Sequence, residues 1–218
     1  MTDGAPSPRA QDWADKTEQA VLDQALLLTP SQGWTRPMTL AAARRVGLSR
    51  GEADLLLPGG PRDLAALLSR RHDAAALAAL PDPAGLKIRQ RIRHAVVARL
   101  EAASPDREAV RRWAGFLTLP LNLPLALRLV WESSDSLWRW AGDTATDENH
   151  YSKRALLAGI LISCLALDMT AGRTAALSYL DARIQNVMDF EVWKAGIKPA
   201  DFAKEVVGAL AQLRYGRA

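Results

Sequence analysis

A chain of 218 residues with 49% apolar and 24% charged side chains can bury a sizeable core, which excludes a fibrous or wholly disordered protein. The net charge of +4 permits a nucleic acid or an anionic membrane as partner without requiring either. A single cysteine, Cys164, excludes an internal disulfide and a cysteine-built metal cluster, and suits a reducing compartment.

Residues 1–14 read as a disordered tail: MTDGAPSPRAQDW lacks the apolar core of a secretory signal and the arginines of a transit peptide. Strand signals are nearly absent, Ala and Leu dominate, and apolar residues recur at spacings of three and four, so the class is all-α. A helix is expected over about 15–29, stopped by TPSQGW. Two short helices follow in TLAAARRVGLSRGEADLLL, joined at Gly47 in the manner of a helix-turn-helix. LLPGGPRDL is a turn in which Asp63 can cap a helix reaching about Ala79, and LPDPAG is a second break. Further helices are expected over about 85–103, 106–118, 122–141, 147–170, 173–194 and 199–215. The division this suggests is a small helix-turn-helix-like unit over 15–70 and a larger bundle over 71–218.

The second helix of the pair offers a DNA groove little. Beside Ser49 and Arg50 it carries Glu52, Asp54 and three leucines, and carboxylates facing a groove repel phosphate. DNA is therefore an improbable partner, and Leu48, Leu55 and Leu56 are expected to pack the small unit against the bundle. Chemistry is equally sparse. His72, His94 and His150 have no second histidine or cysteine at ligand spacing, and Asp147 with His150 supplies two ligands where a metal needs more. Pro58-Gly59-Gly60-Pro61 lacks the Lys-Ser/Thr of a phosphate loop, and Cys164 lies within an apolar run. No catalytic residue, metal site or cofactor is expected.

The apolar segments say more. FLTLPLNLPLALRLV, residues 116–130, sets prolines at 120 and 124, so the chain must bend there. ALLAGILISCLAL, Ala155–Leu167, spans about 20 Å as a helix, short of the roughly 30 Å of a bilayer core, and is expected to be a buried helix. A bend beside a buried helix is either a kinked core element or one wall of an apolar pocket. Leu127, Val130, Trp131, Ser134, Leu137, Trp138 and Ala141 form one helical stripe, while Trp140 falls about 180° from Trp131, toward the outside. An exposed Trp is either covered or an interface anchor. Beyond it GDTATDENHYSKR reads as a capped helix start or as a mixed aromatic and charged docking patch. In IRQRIRHAVVARL, Ile88, Ile92, Val96 and Arg99/Leu100 share one face, with Arg89, Arg91 and Arg93 on a solvated one. The run PADFAKEVVGALAQLRYGRA is amphipathic, fit to finish a core, a dimer interface or a membrane-surface helix.

Taken together, GLSRGEADLLLPGG, RHAVVARL, LPLNLPLAL and above all WRWAGDTATDENHYSKRALLAGI resemble the TetR-fold lipid-binding accessory family of coenzyme Q (ubiquinone) biosynthesis, in a bacterial version, over about residues 17–215. The helix-turn-helix alone would equally fit a TetR-type ligand-responsive transcriptional repressor. The resemblance implies a TetR-like all-α fold and a likewise non-catalytic protein. Its bundle would hold an isoprenoid or other lipid and present demethoxyubiquinone to its hydroxylase. It implies a lipid site at Phe116, Leu119, Leu123, Leu127, Trp131, Leu157, Leu161 and Leu165. It also implies a hydroxylase-docking patch at Asp143, Thr146, Asp147, His150, Tyr151 and Arg154, where the family often carries Trp in place of His150, and the outward Trp140 is expected to join that partner surface. A homodimer, a cytoplasmic location and peripheral contact with the inner membrane through the C-terminal helix complete the expectation.

Overall fold

The structure, a computed structural model, describes the backbone of residues 8–144 and 148–196 and, within these, the side chains of 12–144 and 150–186. The first part of the expected tail, Thr146, Asp147 and the expected helix over 199–215 lie outside the described residues. Among the described residues the chain is all-helical, in keeping with the TetR-like all-α expectation. It divides into two compact units, Met1–Leu177 and Ser178–Ala218.

The first helix, α1 (Pro8–Gln32), starts earlier than expected and absorbs half of the expected tail. Proline suits the first turn of a helix, and Lys16 bonds Asp12 one turn away at 2.8 Å. Then come α2 (Arg36–Arg45), capped by Thr35, and α3 (Arg50–Leu56). Gly47, at φ +86°, makes the turn between them in a conformation that side chains resist. Ser49 and Glu52 form a reciprocal capping box: Ser49 Oγ accepts from the Glu52 amide at 3.3 Å, and Glu52 Oε2 accepts from the Ser49 amide at 2.8 Å. The helix α4 (Pro61–Ala79) begins after Gly60, with Asp63 accepting from the Gly59 amide at 2.6 Å. Next are α5 (Ile88–Ala103), α6 (Arg107–Leu117) and α7 (Leu123–Trp140). The last two are α8 (Glu148–Thr170) and α9 (Arg173–Gly196), the second crossing the division between the units.

Neither proline kinks a helix. Pro120 opens a single 3₁₀ turn and Pro124 occupies the first turn of α7, where a missing amide costs nothing. The bend is the 96° angle between α6 and the segment Pro120–Trp140. No single described helix is long and apolar enough to cross a membrane.

In the first unit α1 packs on α2, α4 and α6, α4 packs on α5 and α7, and α7 packs on α8. One buried cluster joins Val21 and Leu22 of α1, Met38 of α2, Leu64 and Leu68 of α4, Trp113 of α6 and Leu129 of α7. Residue 70 falls inside α4, whose Leu64 and Leu68 belong to that cluster. Leu48 and Leu57 are buried, but Leu55 is 84% exposed, so it does not pack against the bundle as expected. On so short a helix the capping box fixes the rotation and leaves Ala53 and Leu57 facing inward.

Candidate functional site

An apolar cavity of about 330 Å³ lies in the first unit, where the proline bend meets α5 and α8. Ligand pockets typically occupy about 300–1,000 Å³ and are largely apolar. Helix α6 contributes Trp113, Ala114 and Leu117, and α7 contributes Leu123, Ala126, Leu127 and Val130. Leu161, Ile162, Leu165 and Met169 of α8 close the other side. Because α6 and the segment Pro120–Trp140 meet at 96°, their apolar faces cannot pack along their whole length, and the gap left between them is walled by α8.

Four of the eight expected lipid residues, Leu123, Leu127, Leu161 and Leu165, line this cavity. The others stand elsewhere. Phe116 packs against Trp34, with ring centroids 6.4 Å apart. Leu119 is 53% exposed beside the bend, and Leu157 is buried in the packing of α8. Trp131 stacks on Tyr151 at 6.0 Å. The expected stripe on α7 holds at Ser134, Leu137 and Ala141, which are buried, but not at Leu127, which is 59% exposed. Its N-terminal half is replaced by Leu125, Leu129 and Ser133, because Leu127 and Val130 border open space. Helix α8 likewise is buried on one face only: Leu157, Ile160, Leu161 and Cys164 are covered, while Leu156 and Ile162 are exposed.

One wall of the cavity is polar. Arg99 of α5 lines it with Ser69 of α4 and Ser133 of α7. Arg99 is buried; its Nε donates to Asp73 Oδ1 at 2.6 Å, and Ser133 Oγ donates to both Asp73 oxygens at 2.8 and 2.9 Å. The sequence placed Arg99 on the inward face of its helix but gave no sign of Asp73 or Ser133, which arrive from other helices. Next to this network His72 Nε2 lies 2.8 Å from Asp106, and burial followed by the nearby Arg99 charge pushes its pKa down to about 4.

The expected docking patch separates into an inside and an outside. Gly142, at φ +88°, ends α7, and the Asp143 amide turns back to the Trp138 carbonyl at 3.0 Å. That turn sends the Asp143 side chain inward, against Lys153 Nζ at 2.6 Å and Arg154 Nη1 at 2.9 Å. Arg154 also bonds Asp135 Oδ1 at 2.6 Å and is only 2% exposed. Asp143 and Arg154 are therefore not surface contacts. They clamp α7 to α8, since Arg154 falls in register with the buried Leu157, Leu161 and Cys164. Burial opposes both charges, but the mutual hydrogen bonds outweigh it, holding Asp143 below the usual carboxylate range and Arg154 above its ordinary value. Trp140 is half-buried rather than outward, its indole N–H donating to the Pro81 carbonyl at 3.2 Å. Tyr151, 63% exposed, remains on the surface with half-buried His150 edge-on to it at 5.2 Å.

Among the described residues no group of three or more His, Cys, Asp or Glu side chains could hold a metal ion. Cys164 is fully buried and its thiol pKa is raised to about 11 by burial, so it is unreactive at neutral pH. The carboxylates of α3 are engaged locally: Glu52 in the capping box, Asp54 with Arg36 at 2.6 Å.

Comparison with known proteins points to one family. The COQ9 family profile matches residues 123–191, which run from the start of α7 into α9. Ubiquinone biosynthesis protein COQ9, mitochondrial, of Rattus norvegicus is 28% identical over 205 residues, 84% of this chain and 66% of its own length. The COQ9-A protein of Xenopus laevis is 30% identical over 176 residues, 71% of this chain and 55% of its own. The Homo sapiens COQ9 is 30% identical over 154 residues, 67% of this chain and 48% of its own. The match thus spans about half to two thirds of the length of these curated mitochondrial relatives. Pro124, the cavity-lining helices α7 and α8 and the Arg154 clamp lie inside the matched region, and over it the chain is similar to the COQ9 family.

Proposed function

We propose that this protein is a non-catalytic lipid carrier of ubiquinone biosynthesis, which holds an isoprenoid or quinone in its bundle and presents demethoxyubiquinone to its hydroxylase. The observation that carries this reading is the apolar cavity between α5, α6, α7 and α8. The relatives, each named a ubiquinone biosynthesis protein, supply the pathway. Exposing an isoprenoid tail to water costs about 0.8 kcal/mol per methylene-sized group, so an apolar cavity supports transfer without any catalytic side chain. Residues 71–218 would form the lipid-binding bundle and 15–70 the helix-turn-helix-like unit. The hydroxylase would dock on the aromatic surface of Tyr151, His150 and Trp131, with Trp140 and Asp147, the latter outside the described residues, as further candidate contacts. A second copy would cover exposed Leu156 of α8, and the C-terminal segment would touch the inner membrane.

Lipid extraction and mass spectrometry of purified protein test the carrier role. An isoprenoid or quinone is expected in the wild type and reduced at least tenfold in Ala126→Trp, which fills the cavity. Equal lipid in both would refute the site. Tyr151→Ala is expected to weaken hydroxylase pull-down with bound lipid unchanged, and an unaltered pull-down would refute the docking surface. Sequence-specific duplex binding at physiological salt would replace the carrier reading by the repressor.

A further inference from the structure

The cavity described above is apolar except where Arg99, Ser69, Ser133 and Thr118 line it, and Arg99 is the one charged group among them. The Arg99 side chain is 91% buried by its 9% exposure, yet its only hydrogen bond within the described residues uses Nε, to Asp73. No fully buried side-chain nitrogen or oxygen in the described residues lacks a partner. The Nη groups have no hydrogen bond among the described residues and so keep some exposure, and Arg99 is one of the residues lining the cavity. Guanidinium N–H groups left without an acceptor in apolar surroundings are costly, so a ligand oxygen placed there gains more than it would in water.

The charge balance selects the kind of oxygen. Arg99 is already neutralised by Asp73 at 2.6 Å, and Ser133 commits its hydroxyl proton to that same carboxylate. An anionic head would put a second negative charge beside Asp73, an arrangement a low-dielectric site penalises. A carbonyl or ether oxygen accepts from Nη without adding charge. The size agrees: about 330 Å³ falls at the lower end of the roughly 300–1,000 Å³ of small-molecule pockets, so a ring-sized head group fits. Leu123, Leu127 and Ile162 line the cavity while remaining about half exposed, so they form an apolar exit for a chain too long to fit.

We propose that Arg99 is the specificity anchor of the cavity, binding the neutral, oxygen-bearing ring of a prenylated quinone with the ring inward and the tail leaving over Leu123, Leu127 and Ile162. This rests on the lipid-carrier reading and adds to it the head-group chemistry and the orientation.

The test uses displacement of an environment-sensitive apolar dye by three probes: a decyl-substituted dimethoxybenzoquinone, decylbenzene and decanoate. Wild type is expected to prefer the quinone to decylbenzene at least tenfold. Arg99→Lys, which keeps a cation for Asp73 but withdraws the paired Nη donors, is expected to abolish that preference and leave decylbenzene affinity unchanged. Arg99→Gln/Asp73→Asn removes both charges together, and is expected to do the same if the lysine variant does not fold. A preference that survives both substitutions overturns the anchor, as does an equal loss for quinone and decylbenzene. Decanoate binding tightest in an Arg99-dependent way overturns the neutral head. Failure of all three probes to displace dye from wild type would instead overturn the carrier reading itself.

Discussion

Replacing Arg154 by Met removes the cation that joins α7 to α8 while keeping a side chain of similar length. The guanidinium is 2% exposed and lies 2.6 Å from Asp135 and 2.9 Å from Asp143. Removing one partner of a buried ion pair typically costs about 3–5 kcal/mol, because the other charge is left uncompensated. Here each carboxylate retains one neighbour, Arg139 at 2.8 Å from Asp135 and Lys153 at 2.6 Å from Asp143. The lower end, about 3 kcal/mol, is therefore expected. For a domain of this size that corresponds to a fall in melting temperature of roughly 6–12 °C. Urea unfolding followed by circular dichroism measures it directly, and Arg154→Met/Asp143→Asn should recover part of the loss, since the carboxylate stranded by the first change is neutralised by the second. A single variant within about 0.5 kcal/mol of wild type would refute the buried clamp and return Arg154 to the surface.

Two further outcomes follow from the same geometry. The neutral His72 ring is favoured by the fold, with a pKa of about 4 against an ordinary 6.5, so the unfolded chain takes up the proton first as pH falls. Its contribution is complete above pH 6.5 and is lost between pH 6.5 and about 4, amounting to about 3 kcal/mol. His72→Gln, whose amide can still donate to Asp106, should flatten the stability profile in that window, and an unchanged slope would assign the titration to other groups. Ser49→Ala should lower stability by about 1 kcal/mol through loss of the α3 cap, read as a shift in the urea midpoint with unchanged slope. No effect would mean that the Glu52 arm of the capping box suffices alone.

The helical class and most breaks were legible because Gly, Pro and capping residues act locally: Gly142 and Gly172 end helices where the sequence placed them. The placement of Arg154 was not, because a surface reading of its charge overrode a spacing that was present. Residues 154, 157, 161, 164 and 168 form one buried stripe whose ends, Arg154 and Asp168, are charged. Extending the apolar period by one turn in each direction would have found both. Leu127 misled for the opposite reason: its period is right for a core, but the cavity leaves it nothing to pack against. The polar wall at Arg99 was half legible, since helical spacing turned Arg99 inward while Asp73 and Ser133 depend on how α4 and α7 approach it.

The two charged ends of the α8 stripe have a mechanical consequence. At one end Arg154 holds Asp135 and Asp143; at the other Asp168 receives Arg107 at 3.3 Å and Arg173 at 2.8 Å. A beam clamped at both supports does not swing away to admit cargo, because doing so would break ion pairs at each end at once. For the proposed lipid, the route left is the gap beside Leu123, Leu127 and Ile162, whose opening breaks none of those pairs. On the proposed carrier reading, the rate at which a ligand leaves would be governed by how much oily surface it must wet on the way out, with the helix as a fixed wall.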